Sequence, residues 1–320
     1  MNLCIVCNSR AERGPLESVI EALPEARVVG IDVYGSTPHE AMGRALRHFT
    51  ETFTGIYTSR VLVLGDRYET LAAALAAMFL RIPVAHIHGG ETTTGAFDDP
   101  MRHAITHIAD LHFVPTNAAA NRVHQLLGGR DEDYGIYEVG APGLDGIPQN
   151  SAKRDRKRIL VTFHPETRAE DYGFGACQTM LYALWSLRGY EITFTGVNAD
   201  PGQVSIDKAI QDFMAVPYNV CLYREKMSHA EYISEMQHAA LVIGNSSAGI
   251  IEAPWVGCPS VNIGNRQNGR PCAASVFNAP GDEEAISQAI RAALQFTGDP
   301  QPIYRGGAAE KIAEILRRTP

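Results

Sequence analysis

Short, continuous apolar runs recur along the chain, and helical stretches lie between many of them. The runs are rich in Val, Ile and Leu and alternate little with polar residues, which is typical of strands buried on both faces of a parallel sheet. Thr70–Phe79 and Ala230–Ala239 contain good helix formers. This alternation predicts βαβ units and an α/β fold with doubly wound parallel sheets. The predicted strands are Leu3–Cys7, Val61–Leu64, Val84–Ile87, Leu111–Val114, Tyr137–Val139, Ile159–Phe163, Glu191–Phe194, Val220–Tyr223, Leu241–Ile243 and Ser260–Ile263.

A polar, charged stretch, Pro148–Arg158, interrupts this pattern near the middle of the chain. Because the stretch lacks core residues, it indicates a domain boundary. We therefore predict two domains, residues 1–150 and 151–320, each with about five strands. The last predicted helix, 308–318, could pack back on the first domain.

Composition narrows the classes of function. The 320 residues are 45% apolar, enough for two cores, and the formal net charge of −8 argues against a nucleic-acid partner. No segment has the basic leader of a signal peptide or the length of a membrane span, so we expect a cytoplasmic protein with no membrane partner. The six cysteines are then expected to be free thiols. Cys4 and Cys7 would point to opposite faces of a strand, which argues against a metal or redox pair.

The ends of the predicted strands carry the unusual residues. In open α/β sheets, ligands bind beyond the carboxyl ends of the strands. In the first half of the chain these ends carry carboxylates and imidazoles, which form a candidate acid–base set. The members of the set are Asp66, His86, His88, Glu91, Asp98 and Asp99.

The second half of the chain carries neutral donors instead. Ser246 and Ser247 stand between glycines where a strand leads into a predicted helix, and backbone N–H groups there can hold a phosphate. Arg266 and Arg270 could add charge-assisted hydrogen bonds. The carboxylate of Glu252 could accept two hydrogen bonds from a ribose. This half is therefore a candidate nucleotide-binding region.

Each of these patterns has a purely structural alternative. The segment Gly244–Gly249 could be only a strand-to-helix turn. Asp66 could cap the helix that follows it, and Asp98 and Asp99 could cap the next one. The functional interpretation gains weight because the residues fall at successive strand ends.

Eight segments together resemble the UDP-N-acetylglucosamine 2-epimerase family, and specifically its hydrolysing branch. The resemblance covers the chain except for about residues 25–55. The segments are SRAERG at Ser9–Gly14, LGDRYE at Leu64–Glu69, HIHGGETTTGAFDD at His86–Asp99, RHAIT at Arg102–Thr106, VGAPGLD at Val139–Asp145, FHPET at Phe163–Thr167, GNSSAGIIE at Gly244–Glu252 and NIGNRQNGR at Asn262–Arg270.

The resemblance implies a GT-B architecture, in which two Rossmann-like domains face a central cleft, and a homodimer. It implies a UDP-sugar substrate, no cofactor and no metal. The product would be N-acetylmannosamine or a related amino sugar of sialic or legionaminic acid pathways. Implied catalytic residues are Asp66, Asp98, Asp99 and either His88 or Glu91. Implied UDP-sugar contacts are Arg10, Arg67, His164, Asn198, Asp200, Ser246, Ser247, Glu252 and Arg266.

The implied reaction has two steps. A base removes the proton from the second carbon of the sugar while UDP leaves from the anomeric carbon, which gives a glycal. Water then adds so that the second carbon is inverted. The N-acetylated sugar itself is left open by the sequence, which fits UDP-N-acetylglucosamine or its 2,4-diacetamido-trideoxy analogue.

Other functions fit parts of the sequence. His86 and His88 share a strand face and His103 and His107 are four apart on a predicted helix, as in some zinc hydrolases. A GT-B glycosyltransferase, a non-hydrolysing epimerase and a non-catalytic nucleotide-sugar sensor are further alternatives. Analysis of the products formed from one UDP-sugar separates them.

Overall fold

A computed structural model of the protein describes residues 2–8, 10–33, 37–129, 135–153, 155–217 and 220–319, without the side chains of residues 10, 11 and 156. The chain divides into two compact units. The first unit comprises Met1–Glu91, Asp98–Gly146 and Tyr304–Pro320, and the second comprises Thr92–Phe97 and Ile147–Ile303.

The first unit is built on a parallel sheet, six-stranded in the described residues, with the order β2-β1-β3-β4-β5-β6. The order reverses between β1 and β3, because β2 lies on one side of β1 and all later strands lie on the other. The strands are β1 (Leu3–Val6), β2 (Arg27–Val29), β3 (Arg60–Leu64), β4 (Val84–Ile87), β5 (Leu111–Val114) and β6 (Ile136–Glu138). The helices are α1 (Arg10–Ala22), α2 (Pro38–Gly55), α3 (Tyr68–Phe79), α4 (Asp98–Ile108) and α5 (Asn117–Leu126), with a 3₁₀ turn at Pro142–Leu144.

Both faces of this sheet are covered. On β1, Leu3 and Ile5 pack into one apolar cluster with α1, whereas Cys4 and Val6 pack into another with α2 and α3. Helix α2 presents buried residues four apart, such as Phe49 and Phe53, which is the spacing of one helix face. Successive residues of β1, β4 and β5 are therefore all buried, as the continuous apolar runs predict.

The second unit carries a parallel sheet of the order β12-β11-β10-β7-β8-β9, six-stranded in the described residues. Its order reverses between β7 and β10, which is the Rossmann arrangement. The strands are β7 (Asp155–Thr162), β8 (Glu191–Thr195), β9 (Val220–Arg224), β10 (Ala239–Gly244), β11 (Ser260–Ile263) and β12 (Val276–Ala279). The helices are α6 (Phe174–Leu184), α7 (Gln203–Met214), α8 (His229–His238), α9 (Glu252–Val256) and α10 (Glu283–Gln295), with a 3₁₀ turn at Ser247–Gly249.

The ten predicted strands are present, three with the predicted bounds and seven with ends shifted by at most four residues, and two further strands complete the sheets in the described residues. Both additional strands, β2 and β12, lie at sheet edges, where polar side chains interrupt the apolar pattern. The prediction of burial on both faces is wrong for two edge strands: β6 is at most half-buried, and β9 is largely exposed, with Val220 63% exposed. Within the segment 25–55, which the family resemblance does not cover, the described residues form β2 and α2.

The cysteines of the described residues are free, and three of them are buried: Cys4, Cys177 and Cys258. Burial raises the pKa of the Cys177 thiol to about 12, so this side chain behaves as a small apolar group. In the part of the chain that the structure describes, no helix has the length and hydropathy that a membrane span requires.

The C-terminal helix α11 (Ala308–Arg318) belongs to the first unit. Its buried residues, which include Ile312 and Leu316, pack on the same face of the sheet as α1. Asp145 caps this helix from a distant part of the sequence. Its carboxylate accepts hydrogen bonds from the backbone N–H groups of Gly307, Ala308 and Ala309 at 2.5, 3.0 and 2.7 Å. These N–H groups have no partners within the helix, and the carboxylate also complements the helix dipole.

We predict that Asp145→Ala destabilises α11 by about 1–3 kcal/mol, because several N–H groups lose a charged acceptor. Native-state hydrogen exchange of the α11 amides measures this loss. In Asp145→Asn, which keeps one acceptor oxygen, the protection of the α11 amides should lie between that of Asp145→Ala and that of the wild type. The amides of α10, which has its own cap at Asp282, are the internal control. Unchanged exchange in α11 would contradict the role of Asp145.

Candidate active site

The first candidate site lies where the strand order of the first unit reverses, between β1 and β3. Asp66 follows β3 by two residues, after Gly65, whose φ of +79° favours glycine. In doubly wound sheets this reversal opens a crevice at the carboxyl ends of the strands. The predicted acid–base residues therefore begin at the position where such a fold binds ligands.

Arg102 holds two of the predicted carboxylates. This α4 residue is 2% exposed, and its guanidinium donates to Asp66 Oδ2 and, at 3.4 Å, to Asp99 Oδ1. Asp99 Oδ2 also lies 3.6 Å from His103 Nε2. Burial lowers the pKa of His103, although the Asp99 carboxylate opposes this shift. The pair Asp66 and Asp99 is thus oriented by one fixed charge.

His86 positions the turn that carries Asp66. Its ring is fully buried on β4, with Nε2 2.7 Å from the carbonyl oxygen of Gly65. Burial lowers the pKa of His86 to about 3, so the ring is neutral at physiological pH and its Nε2–H donates to this carbonyl. His112, its neighbour on β5, is also buried, and burial lowers its pKa to about 4. Neither ring is suited to exchange protons near neutral pH, so the inclusion of His86 in the acid–base set is wrong.

His88, Glu91 and Tyr304 form a hydrogen-bonded line. His88 Nδ1 lies 3.0 Å from Glu91 Oε2, and the Tyr304 hydroxyl donates to Glu91 Oε1 at 2.7 Å. Glu91 and Tyr304 are both buried. Two glycines shape the loop between His88 and Glu91. A Cβ at Gly90, which has φ +77°, would lie 2.2 Å from the carbonyl oxygen of Ala119, so α5 leaves room only for glycine there.

The second candidate site lies at the strand reversal of the second unit, between β7 and β10. Asn245, fully buried after β10, accepts from the backbone N–H of His164 at 2.7 Å and donates to its carbonyl at 2.8 Å. His164 Nδ1 in turn accepts from the backbone N–H of Asn198 at 3.2 Å. Its neutral ring therefore carries the proton on Nε2. The Asn245 side chain therefore joins the loop after β7 to the loop after β10, and this hydrogen-bonded contact is the Asn245 junction.

The serine pair stands beside this junction. Ser246 is half-buried and its hydroxyl accepts from the backbone N–H of Ala248 at 3.3 Å, while Ser247 begins a 3₁₀ turn. Glu252 is buried at the start of α9, a helix of only five residues. The prediction that a helix starts at the serine pair is therefore wrong, because a 3₁₀ turn stands there and a short helix follows it.

A third loop joins the same junction. Arg266 donates to the carbonyl oxygen of Asn245 at 3.3 Å, and Gln267 donates to it at 3.0 Å. Glu166, which follows β7, accepts from the backbone N–H of Asn265 at 3.0 Å. Burial raises the pKa of Glu166, although the Asn265 N–H bond opposes this shift. Three loops of the second unit, after β7, β10 and β11, are thus hydrogen-bonded to one another.

The predicted site residues fall into two groups. The first unit holds Asp66, Arg67, His88, Glu91, Asp98 and Asp99, and the second holds His164, Asn198, Asp200, Ser246, Ser247, Glu252 and Arg266. The side chain of Arg10 lies outside the described residues. Arg67 pairs with Glu69, its Nε lying 3.2 Å from Oε2, and stacks near the Tyr68 ring.

Sequence reasoning missed several residues that organise these sites: Arg102, Tyr304, Asn245 and Glu166. Arg102 stands three positions after Asp99 on α4, a helical spacing that predicts contact. Tyr304 carries no such signal, because its partner Glu91 is 213 residues away in sequence. The zinc-site alternative gains no support, since no group of three or more His, Cys, Asp or Glu residues could hold a metal among the residues described.

The two reversed strand orders define an α/β protein of the doubly wound type, with candidate ligand sites at the carboxyl ends of its strands. The sequence profile of the UDP-N-acetylglucosamine 2-epimerase family matches residues 17–317, and the chain belongs to this family.

The protein is similar to the UDP-N,N'-diacetylbacillosamine 2-epimerase (hydrolyzing) of Legionella pneumophila, with 32% identity over 92% of this chain and 80% of the relative. The GDP/UDP-N,N'-diacetylbacillosamine 2-epimerase (hydrolyzing) of Campylobacter jejuni is 31% identical over 72% of this chain and 62% of the relative. Among solved structures, the UDP complex of Staphylococcus aureus MnaA superimposes with a TM-score of 0.83 and 15% identity, covering 99% and 96% of the two chains. This likeness confirms the predicted GT-B fold class.

We predict that Arg102→Leu destabilises the protein by about 2–4 kcal/mol, because it leaves two mostly buried carboxylates without their cation. The side chains of Asp66 and Asp99 are 21% and 11% exposed, so water offsets part of the loss. The stability of Arg102→Lys should lie between that of the wild type and that of Arg102→Leu, because an ammonium keeps the charge but lacks the fork that bridges two carboxylates. Urea unfolding followed by circular dichroism measures the change. Arg318→Leu is the control, since its exposed pair with Glu314 contributes at most about 1 kcal/mol.

We also predict that stability falls as the pH drops from about 6.5 towards 4. Because burial lowers the pKa of His86 and His112 in the folded state, the unfolded chain binds protons in this window that the folded chain does not. Each such proton lowers the free energy of unfolding by about 1.4 kcal/mol per pH unit. Hydrogen exchange of β4 and β5 amides at several pH values measures this slope. His112→Asn should reduce the slope by about one proton, and an unchanged slope would count against a neutral buried His112.

Proposed function

We propose that the protein is a hydrolysing 2-epimerase of a UDP-linked N-acetylated sugar. The reaction converts the UDP-sugar and water into UDP and the free sugar, inverted at its second carbon. The observation that carries this proposal is the similarity, over 92% of the chain, to a relative named as a hydrolysing 2-epimerase. The acid–base groups of the first unit supply a chemical rationale for it.

The first step is an elimination. A base of the first unit takes the proton from the second carbon, the electron pair forms the double bond to the anomeric carbon, and the bond to the UDP oxygen breaks. Candidates for this proton transfer are Asp66, Asp98, Asp99 and the pair His88 and Glu91. Arg102 supports the step because it orients Asp66 and Asp99 by hydrogen bonds.

The second step adds water to the glycal. One group accepts a proton from the water as its oxygen bonds to the anomeric carbon, and another donates a proton to the second carbon. The new proton arrives on the face opposite to the one that lost it, which inverts this centre. Since one carboxylate cannot serve both faces of a sugar ring, at least two acid–base groups take part.

The second unit supplies the contacts to UDP in this proposal. Ser246, Ser247 and the loop of Arg266 offer hydroxyl, backbone and guanidinium donors for the diphosphate. Glu252 would accept hydrogen bonds from the ribose. The hydrogen-bonded junction at Asn245 supports these roles, because it fixes the loops before a ligand binds.

Two similar relatives have UDP-N,N'-diacetylbacillosamine in their names, which favours a 2,4-diacetamido-trideoxy sugar over N-acetylglucosamine as the substrate. A third relative, 31% identical, is an Escherichia coli polysialic acid biosynthesis protein. We infer that the product feeds a pathway to a sialic-acid-like sugar. A cytoplasmic location and a homodimer stay predictions from the family resemblance.

The predicted products are free UDP and a 2-epimerised sugar, with deuterium at the second carbon when the reaction runs in heavy water. Incubation with each of the two UDP-sugars, followed by proton NMR, tests this and ranks the substrates. Asp66→Asn should lower turnover by about 10²–10⁴-fold while UDP affinity, measured by calorimetry, survives. Asp212→Asn, which alters an exposed ion pair on α7, is the matched control.

A persistent UDP-linked epimer would reject the hydrolytic reaction. Retention of the original hydrogen at the second carbon would reject elimination, and transfer of the sugar to an acceptor would favour the glycosyltransferase alternative.

A further inference from the structure

Tyr304 reaches the acid–base residues from the C-terminal end of the chain. Its side chain is 1% exposed, and its hydroxyl donates to Glu91 Oε1 at 2.7 Å. The other oxygen of the carboxylate, Oε2, lies 3.0 Å from His88 Nδ1. The line Tyr304–Glu91–His88 therefore engages both oxygens of the carboxylate, one with each neighbour.

This line determines which ring nitrogen of His88 carries the proton. An ionised carboxylate only accepts hydrogen bonds. Oε2 therefore accepts from His88, so Nδ1 carries the proton, while the Tyr304 hydroxyl holds Oε1 and with it the orientation of the carboxylate. A neutral imidazole has one ring proton, and the lone pair therefore stands on Nε2. A buried carboxylate orients the imidazole base of serine hydrolases by the same logic.

The backbone contributes to the same arrangement. His88 has φ +66°, a left-handed conformation that costs energy for a residue with a Cβ. The bond to Glu91 compensates for part of this cost and holds the ring. Because Glu91 is 5% exposed, water has little access to replace either of its partners.

We propose that Tyr304 is a positioning residue for the acid–base chemistry. By holding Oε1 of Glu91, it fixes the Nδ1–H tautomer of His88 and leaves Nε2 as the atom that exchanges a proton with the substrate. Of the two alternatives at this position, His88 is then the group that meets the sugar, and Glu91 acts through it. The statement that His88 meets the sugar rests on the function proposed above, whereas the assignment of the Nδ1–H tautomer does not.

The tautomer is tested directly by long-range proton–nitrogen NMR of protein labelled with ¹⁵N-histidine, at about pH 8, where an ordinary imidazole is neutral. The His88 signals are assigned by their loss in His88→Gln. We expect a protonated Nδ1 and an unprotonated Nε2 in the wild type. In Tyr304→Phe, which keeps the buried ring and removes only the hydroxyl, the signals should move towards a mixture of tautomers. A protonated Nε2 in the wild type, or an unchanged spectrum in Tyr304→Phe, would overturn the proposal.

Tyr223→Phe is the matched control. Its hydroxyl also donates to a carboxylate, that of Asp207 at 2.5 Å, but it lies on β9 of the second unit. This variant should leave both the His88 spectrum and turnover unchanged. Altered His88 signals in the control would show that loss of any tyrosine hydroxyl disturbs the ring, and would overturn the specific role of Tyr304.

Kinetics give a second readout. Tyr304→Phe should lower kcat by about 10–100-fold with little change in KM, which is the size of effect seen when the outer partner of a functional histidine is lost. An increase in KM at constant kcat would assign Tyr304 to substrate binding and overturn the proposal. If no UDP-sugar turns over in the wild type, the proposed function fails, and the NMR result still decides the positioning role.

Discussion

Parallel strand pairing is the constraint on which both candidate sites depend. It places the carboxyl ends of all strands of a unit at the same edge of the sheet. Where the strand order reverses, no crossover connects the two neighbouring loops, and a crevice opens between them. In the first unit the reversal lies between β1 and β3, and Asp66 follows β3. In the second it lies between β7 and β10, where His164 and Asn245 meet. The chemistry-bearing residues therefore stand where the topology provides space for a ligand.

Burial then determines which side chains at these positions are charged and which are neutral. Among the described residues, Arg102 is the only cationic side chain that contacts both Asp66 and Asp99. It is more deeply buried than either carboxylate. The buried histidines respond in the opposite way, since burial lowers the pKa of His86 and His112 and keeps both rings neutral. The carboxylates of Asp66 and Asp99 are thereby more exposed to solvent than the cation that holds them. Such an arrangement suits proton transfer, because orientation is established before the substrate arrives.

The sequence predicts the strands and their class well because burial on both sheet faces leaves continuous apolar runs. It also predicts that the candidate site residues follow the carboxyl ends of the strands, since parallel strands end at one edge. It does not predict β2 and β12, whose edge positions tolerate polar residues, nor the 3₁₀ turn that replaces the predicted helix start at the serine pair. Contacts between distant segments, such as Asp145 with α11 or Tyr304 with Glu91, have no local signal. They depend on tertiary packing that periodicity does not encode.

The longest of the segments that resemble the family, His86–Asp99, is divided between the two units. Its ends belong to the first unit, whereas Thr92–Phe97 belongs to the second. There the backbone of Thr94 bonds to Asn268 at 3.0 Å, and a Cβ at Gly95 would lie 2.2 Å from the carbonyl oxygen of Asn265. The glycine is thus required by a close approach of two backbones, not by the acid–base chemistry beside it. A contiguous motif can therefore record two separate constraints: the groups that move protons at its ends, and the packing of a loop in its middle.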